Sequence, residues 1–150
     1  ESGDKTFAQN FYDDLVVDVL ARTLWGEARG EGPQGMEAVA SVILNRVKVA
    51  EAKNGYWWGK DIISVCQKPY QFSCWNRSDP NYRQLQAITE KDIHYATAVR
   101  IARRAVAGTL ADTTGGATHY HAKSIRPDWA EGQTPSAVIG SHIFYKLIEV

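Results

Sequence analysis

A chain of 150 residues, 44% of them hydrophobic, can bury one core and is short for two. Its 17 Lys and Arg balance its 17 Asp and Glu, so the formal net charge is zero and no domain-wide basic field exists to hold nucleic acid or an anionic membrane. Uninterrupted apolar stretches such as Val42-Ile43-Leu44 fall far short of the roughly 20 residues of a membrane span.

A single domain is expected over residues 1–150, with 1–12 as an N-terminal arm whose Phe7, Phe11 and Tyr12 dock on the body. Asp13 offers an N-cap, and Val16, Leu20 and Leu24, joined by Val19 and Thr23, recur at helical spacing, which predicts a helix over 14–25. Gly26, Gly30, Gly32 and Pro33 then read as turn chemistry. A second helix is expected over 34–52. Met36, Val39, Ile43 and Val47 form its stripe, and Ala38, Ala40, Val42 and Leu44 widen it, the pattern of a central buried helix.

From Asn54 to Thr89 the periodicity breaks down and only 61–66 reads as a short helix; loop-rich stretches of this length inside a domain more often serve function. Helical spacing returns from Glu90 through Tyr95, Val99, Ala102 and Val106, with Gly108 as the C-terminal stop. Residues 117–122 and 141–148 are strand candidates that would pair as a small antiparallel sheet. The fold class is therefore mainly α with a minor β element (α+β).

Glu27 lies between two turn glycines, where a carboxyl can project into a cleft. If Trp25 or another aromatic wall desolvates it, its neutral form is favoured and it can protonate a leaving oxygen; the plainer alternative is a surface carboxylate paired with Arg29. Glu31 stands just before the second helix, where an acid complements the helix dipole, and Glu37 is expected to be solvated. Tyr56, Trp57, Trp58, Tyr70, Phe72 and Trp75 place six of the sixteen aromatics within twenty residues, beside Gln67, Gln71, Asn76 and Arg77. Flat faces mixed with amides suit pyranose rings, although the same aromatics could simply pin a loop to the core.

His119 and His121 alternate on one face of a strand, and His142 falls in the next; the three could meet a zinc ion or contact substrate. Cys66 and Cys74, the only cysteines, could close a small disulfide loop outside the cytosol, stay reduced inside it, or pack as small hydrophobes.

The strings WGEARGEGPQGMEAVASVILNRV, QFSCWN, GGATHYHA, RPDW and IGSHIFY, in that order over Leu20 to Tyr145, resemble the SleB/CwlJ cell-wall hydrolase family. The resemblance implies a lysozyme-like, mainly helical catalytic domain that acts on peptidoglycan glycan strands as a lytic transglycosylase, with the first glutamate of the EARGE motif, here Glu27, as the acid/base. Trp75, Phe72, Tyr120 and Trp129 would line the sugar cleft, with Gln71, Ser73, His121 and His142 as polar contacts. No cofactor and a monomer are expected. An extracytoplasmic workplace follows, in periplasm, wall or spore cortex, or as a phage lysin, and with it a Cys66–Cys74 disulfide. The alternatives are an N-acetylmuramoyl-L-alanine amidase holding zinc on His119, His121 and His142, and a non-catalytic glycan-binding module.

Overall fold

A computed structural model describes residues 5–149. Five helices, α1 (Phe7–Ala28), α2 (Gly32–Ala52), α3 (Ile62–Gln67), α4 (Tyr82–Ala87) and α5 (Ile93–Val106), precede three strands, β1 (His119–Ala122), β2 (Ala137–Ile139) and β3 (His142–Tyr145). The mainly helical body with a small antiparallel sheet is as expected.

Helix α1 is longer at both ends than its periodicity predicts. Thr6, not Asp13, is the N-cap: its hydroxyl accepts from the Gln9 N–H while the Gln9 side chain accepts from the Thr6 N–H, a reciprocal capping box that starts the helix two turns early. The described part of the expected arm is thus helical, and residues 1–4 lie outside the described residues. Phe7, Phe11 and Tyr12 are exposed instead of docked, with Phe7 and Phe11 stacked on each other one turn apart.

At the other end α1 runs through Gly26 to Ala28. Gly26 is there for space: a Cβ on it would lie 2.6 Å from Cys74 Cβ. The helix can therefore press against the loop that carries Cys74, and Glu27 sits in its last turn instead of on a free one. The chain reverses at Gly32 (φ +75°), and Pro33 starts α2.

Helix α2 is buried on most of its circumference, from Met36 to Ala50, as its pattern requires. Ser41 hides its hydroxyl by bonding back to the Glu37 carbonyl, and Thr23 does the same on α1 with Val19. Helix α5 lies along α1 through small residues, Ala98, Ala102 and Ala105, that admit close approach. Asp92 caps its start by accepting from the His94 and Tyr95 N–H groups, and Gly108 (φ +78°) follows its C-cap. The loop-rich stretch holds one helix that periodicity did not show, α4, whose last carbonyls accept from the Arg22 guanidinium.

The sheet order is β1-β3-β2, all antiparallel. Tyr120 lies opposite Phe144 and Ala122 opposite His142, on the face that packs toward α2 through Ala38, Val42 and Phe144. His119 opposite Tyr145 and His121 opposite Ile143 belong to the other face. Strand β2 carries only three residues and is too short to show alternation in sequence.

Alanine at Gly26 is expected to reverse the usual helix preference. The roughly 1 kcal/mol that Ala gains over Gly in a helix is outweighed by the forced contact with Cys74, for a net loss of about 1–2 kcal/mol in chemical denaturation.

Candidate active site

The last turn of α1 delivers Glu27 beneath β1. Its Oε1 accepts a hydrogen bond from the Tyr120 hydroxyl at 3.2 Å, and the Cys74 thiol and backbone N–H face the same carboxyl. Burial dominates and raises the Glu27 pKa above the usual carboxylate value; the donors from Cys74 and Tyr120 return part of that shift, and Asp79 adds slightly to it. Tyr120 is half-buried and packs against Phe144 and His142, which holds its hydroxyl in place.

Neither alternative drawn from neighbouring residues holds. Trp25, two positions away on the helix, points toward α5, where its indole N–H meets Asp92, so the wall that desolvates Glu27 is Tyr120 and the Cys74 loop. Arg29 stacks on the Trp25 ring at 3.9 Å and does not pair with Glu27.

Cys66 and Cys74 are free thiols, not a disulfide. Cys66 is sealed inside α3 beside Thr23, and burial pushes its thiol up to about 12; Cys74 is turned onto Gly26 and Glu27, and burial together with that carboxylate pushes it up as well. Both remain protonated and serve as small packing groups between α1 and the loop.

The second acid of the motif ties two distant segments together. Glu31 occupies the N-cap position of α2 but gives no side-chain bond to its own helix. Its Oε1 accepts from the Ser141 N–H at 2.8 Å and its Oε2 from the Ser141 hydroxyl at 2.6 Å, which fixes the β2–β3 turn. Those bonds, the hydroxyl first, lower its pKa. Gly140 (φ +57°) leaves the room, since a Cβ there would lie 2.5 Å from Oε1. His142 stands beside it, Nδ1 3.8 Å from Oε1 and without a hydrogen-bond partner, and burial lowers its pKa. Glu37 pairs with Arg104 at 2.7 Å and is not simply solvated.

The other sequence candidates separate. Phe72 is buried in the core, and Trp75 is anchored by its indole N–H on the Thr23 hydroxyl at 2.8 Å, while Ser73 is exposed between them. Gln71 donates to the Val65 carbonyl at 2.7 Å and leaves its Oε1 buried and unpartnered. Strand alternation puts His121 on the outer face of the sheet, away from Glu27, and Trp129 packs on it there from the loop that follows β1. There His121 Nε2 meets the Tyr145 hydroxyl at 2.9 Å, beside a groove lined by Lys123, Arg126 and Glu131.

The same alternation parts the proposed zinc ligands. His142 belongs to the inner face and His119 and His121 to the outer, and no group of three metal-binding side chains converges among the described residues. His119 has its Nδ1 on the Thr118 hydroxyl at 2.8 Å and a pKa lowered to about 4 by burial and by Arg46.

Two residues of the site escaped the sequence reading. Cys74 reads from sequence as a disulfide partner or a small packing group, and its contact with the Glu27 carboxyl carries no sequence signal. Arg46 was passed over inside the LNRV string, although a charge in the middle of an apolar helix is itself a signal.

A family model described as cell wall hydrolase matches residues 30–145. The chain belongs to that family. The matched stretch begins after Glu27, but similarity to individual cell wall hydrolases extends across it. The chain is 32% identical over 136 residues, 89% of its length, to a spore cortex-lytic enzyme of Halalkalibacterium halodurans, and 30% identical over 144 residues to one of Bacillus cereus. It spans 35% and 48% of the length of those relatives. The crystal structure of the catalytic domain of Bacillus cereus SleB superposes with a TM-score of 0.65 at 28% identity, covering 95% of this chain and 94% of that one. The catalytic domain of SleB from Bacillus anthracis, described as a germination-specific lytic transglycosylase, gives 0.67 at 27% identity, covering 96% of this chain and all of that chain.

Replacing Glu31 with Ala is expected to cost about 1.5–3 kcal/mol, because two charge-assisted hydrogen bonds to Ser141 are lost. Since the folded-state pKa is lowered, the wild-type advantage in denaturant titrations should be full above the ordinary value of 4.5 and vanish as pH falls through the lower folded value.

Proposed function

We propose that this domain cleaves the glycosidic bond between N-acetylmuramic acid and N-acetylglucosamine in peptidoglycan as a lytic transglycosylase, with Glu27 as its one acid/base. The observation that carries the reading is the desolvated Glu27 carboxyl under the Tyr120 hydroxyl.

Burial keeps a population of Glu27 protonated where a solvated carboxyl would have ionised, so it can donate its proton to the glycosidic oxygen as the bond from muramoyl C1 breaks. The resulting carboxylate is held by the Tyr120 hydroxyl and by the Cys74 N–H, both of which favour the charged form. It then takes the proton of the muramoyl C6 hydroxyl, whose oxygen bonds to C1. Leaving group, ring closure and proton all balance without water. One carboxylate thus serves twice, and the opposed influences on Glu27 suit each half of the cycle.

A muramidase that adds water would need a second carboxylate. Asp79 is the one acid whose charge Glu27 feels, and it accepts from the Asn81 N–H at 2.8 Å. Membership of a cell wall hydrolase family and likeness to spore cortex-lytic enzymes support peptidoglycan as substrate and an extracytoplasmic workplace, in the wall or the spore cortex. No described helix is long and apolar enough to cross a membrane.

Digestion of purified peptidoglycan followed by mass spectrometry should yield 1,6-anhydromuramic ends, and Glu27→Gln should slow their release by about 10²–10⁴-fold. Reducing ends that carry an added water, abolished by Asp79→Asn, would point to the muramidase. Full activity in Glu27→Gln would refute the assignment of Glu27.

A further inference from the structure

Arg46 is only 9% exposed, yet no carboxylate pairs with it among the described residues. Its Nε donates to the Thr118 carbonyl at 2.7 Å. The two terminal amino groups find no acceptor in the protein, and neither is sealed from solvent. Four of its five N–H donors therefore remain free in a guanidinium that is otherwise wrapped in apolar groups.

The wrapping is specific. The guanidinium lies 5.0 Å from the centre of the fully buried Trp58 ring and 5.7 Å from that of Phe72. The Trp58 indole N–H in turn donates to the Arg46 carbonyl at 3.0 Å, so the ring is locked to the helix that carries the cation. On the strand side stand Tyr120 and His119, both close enough to feel the charge. Tyr120 is the phenol that bonds to Glu27, so one side chain feels both the free guanidinium and the candidate acid.

Holding a cation this far from water without a carboxylate partner is unfavourable, and latching the Thr118 carbonyl requires only a neutral donor. Arginine contributes what a neutral side chain would not, a planar fork that matches a carboxylate in a two-bond geometry. His119 adds no charge beside it, since burial and Arg46 hold its imidazole neutral down to about pH 4.

We propose that Arg46, between Trp58, Phe72, His119 and Tyr120, forms a subsite for a carboxylate on the muramoyl side chain of the substrate. This rests on the glycan-cleavage reading, which places a muramoyl ring at Glu27 and its lactyl substituent along the neighbouring wall. Two sources share the chemistry: the lactyl carboxylate of a muramoyl unit without peptide, and the terminal carboxylate of a short stem attached to it.

Binding separates the sources. Soluble muramoyl oligosaccharides bearing a free lactyl group, or a lactyl-alanine stem, are each compared with the matching carboxamide by calorimetry on the Glu27→Gln protein, in which turnover is expected to be slow enough to read binding. One acid should bind roughly 10- to 100-fold more tightly than its amide, the range of a charge-assisted pair. Adding Arg46→Met should bring that ratio to within about twofold, and Arg46→Lys should restore part of it. A merely structural Arg46 would weaken acid and amide alike and leave the ratio unchanged. If Arg46→Met does not fold, the acid-to-amide ratio with Arg46 intact still decides. Equal affinity of both acids and both amides overturns the subsite while leaving glycan binding in place; no binding by any of the four overturns the glycan reading and the subsite together.

Discussion

The structure turns on the removal of one carboxyl from water. Glu27 sits where the end of α1, the Cys74 loop and β1 converge, and each of these is held close by an identifiable feature. Gly26 removes the side chain that would hold the loop away. Cys74 supplies a small group that reaches the carboxyl without adding charge. Tyr120 closes the third side from a strand whose register is fixed against β3. Enclosed in this way, the Glu27 carboxyl holds its proton to a higher pH than a carboxyl in water does.

The sheet is small, and its attachment to the helices is correspondingly explicit. Glu31 grips the β2–β3 turn through Ser141, and Asn45 and Arg46 grip the segment leading into β1 through the Ala117 and Thr118 carbonyls. Asp112 completes the second grip by accepting from Asn45, the Thr114 N–H and the Gly116 N–H. The two acids of the EARGE string thus divide their work: Glu27 is enclosed under Tyr120, and Glu31 fixes the β2–β3 turn. Arg46 enters the second grip without a carboxylate partner among the described residues, a cost that a substrate carboxylate would offset in the proposed subsite.

Much of the helical body was legible in the sequence, because α2 and α5 repeat apolar residues at a period that only a helix satisfies. The start of α1 was not, since the signal lay in the side chain of Gln9 reaching back to Thr6 and not in hydrophobic spacing. Glu27 was legible through its glycine neighbours and the family resemblance, yet Gly26 was misread as a helix stop when it is a point of close contact. The aromatic cluster drew attention as a sugar platform, but Trp58 and Phe72 are interior and Trp75 is tied to Thr23, so composition alone could not tell a lining residue from an anchor. The histidines illustrate a limit of strand arithmetic. Alternation correctly put His119 and His121 together, whereas the face of His142 depends on the register between strands, which no single strand encodes.

Titration of the Glu27 side-chain carboxyl carbon by NMR in the intact domain tests the desolvated-acid mechanism most directly. Its midpoint should lie above 4.5, the ordinary value for a glutamate, and should rise further in Tyr120→Phe, where a donor that favours the ionised form is gone. A midpoint at or below 4.5, unmoved by that substitution, would mean that Glu27 is a solvated carboxylate and that the proton for bond cleavage comes from elsewhere.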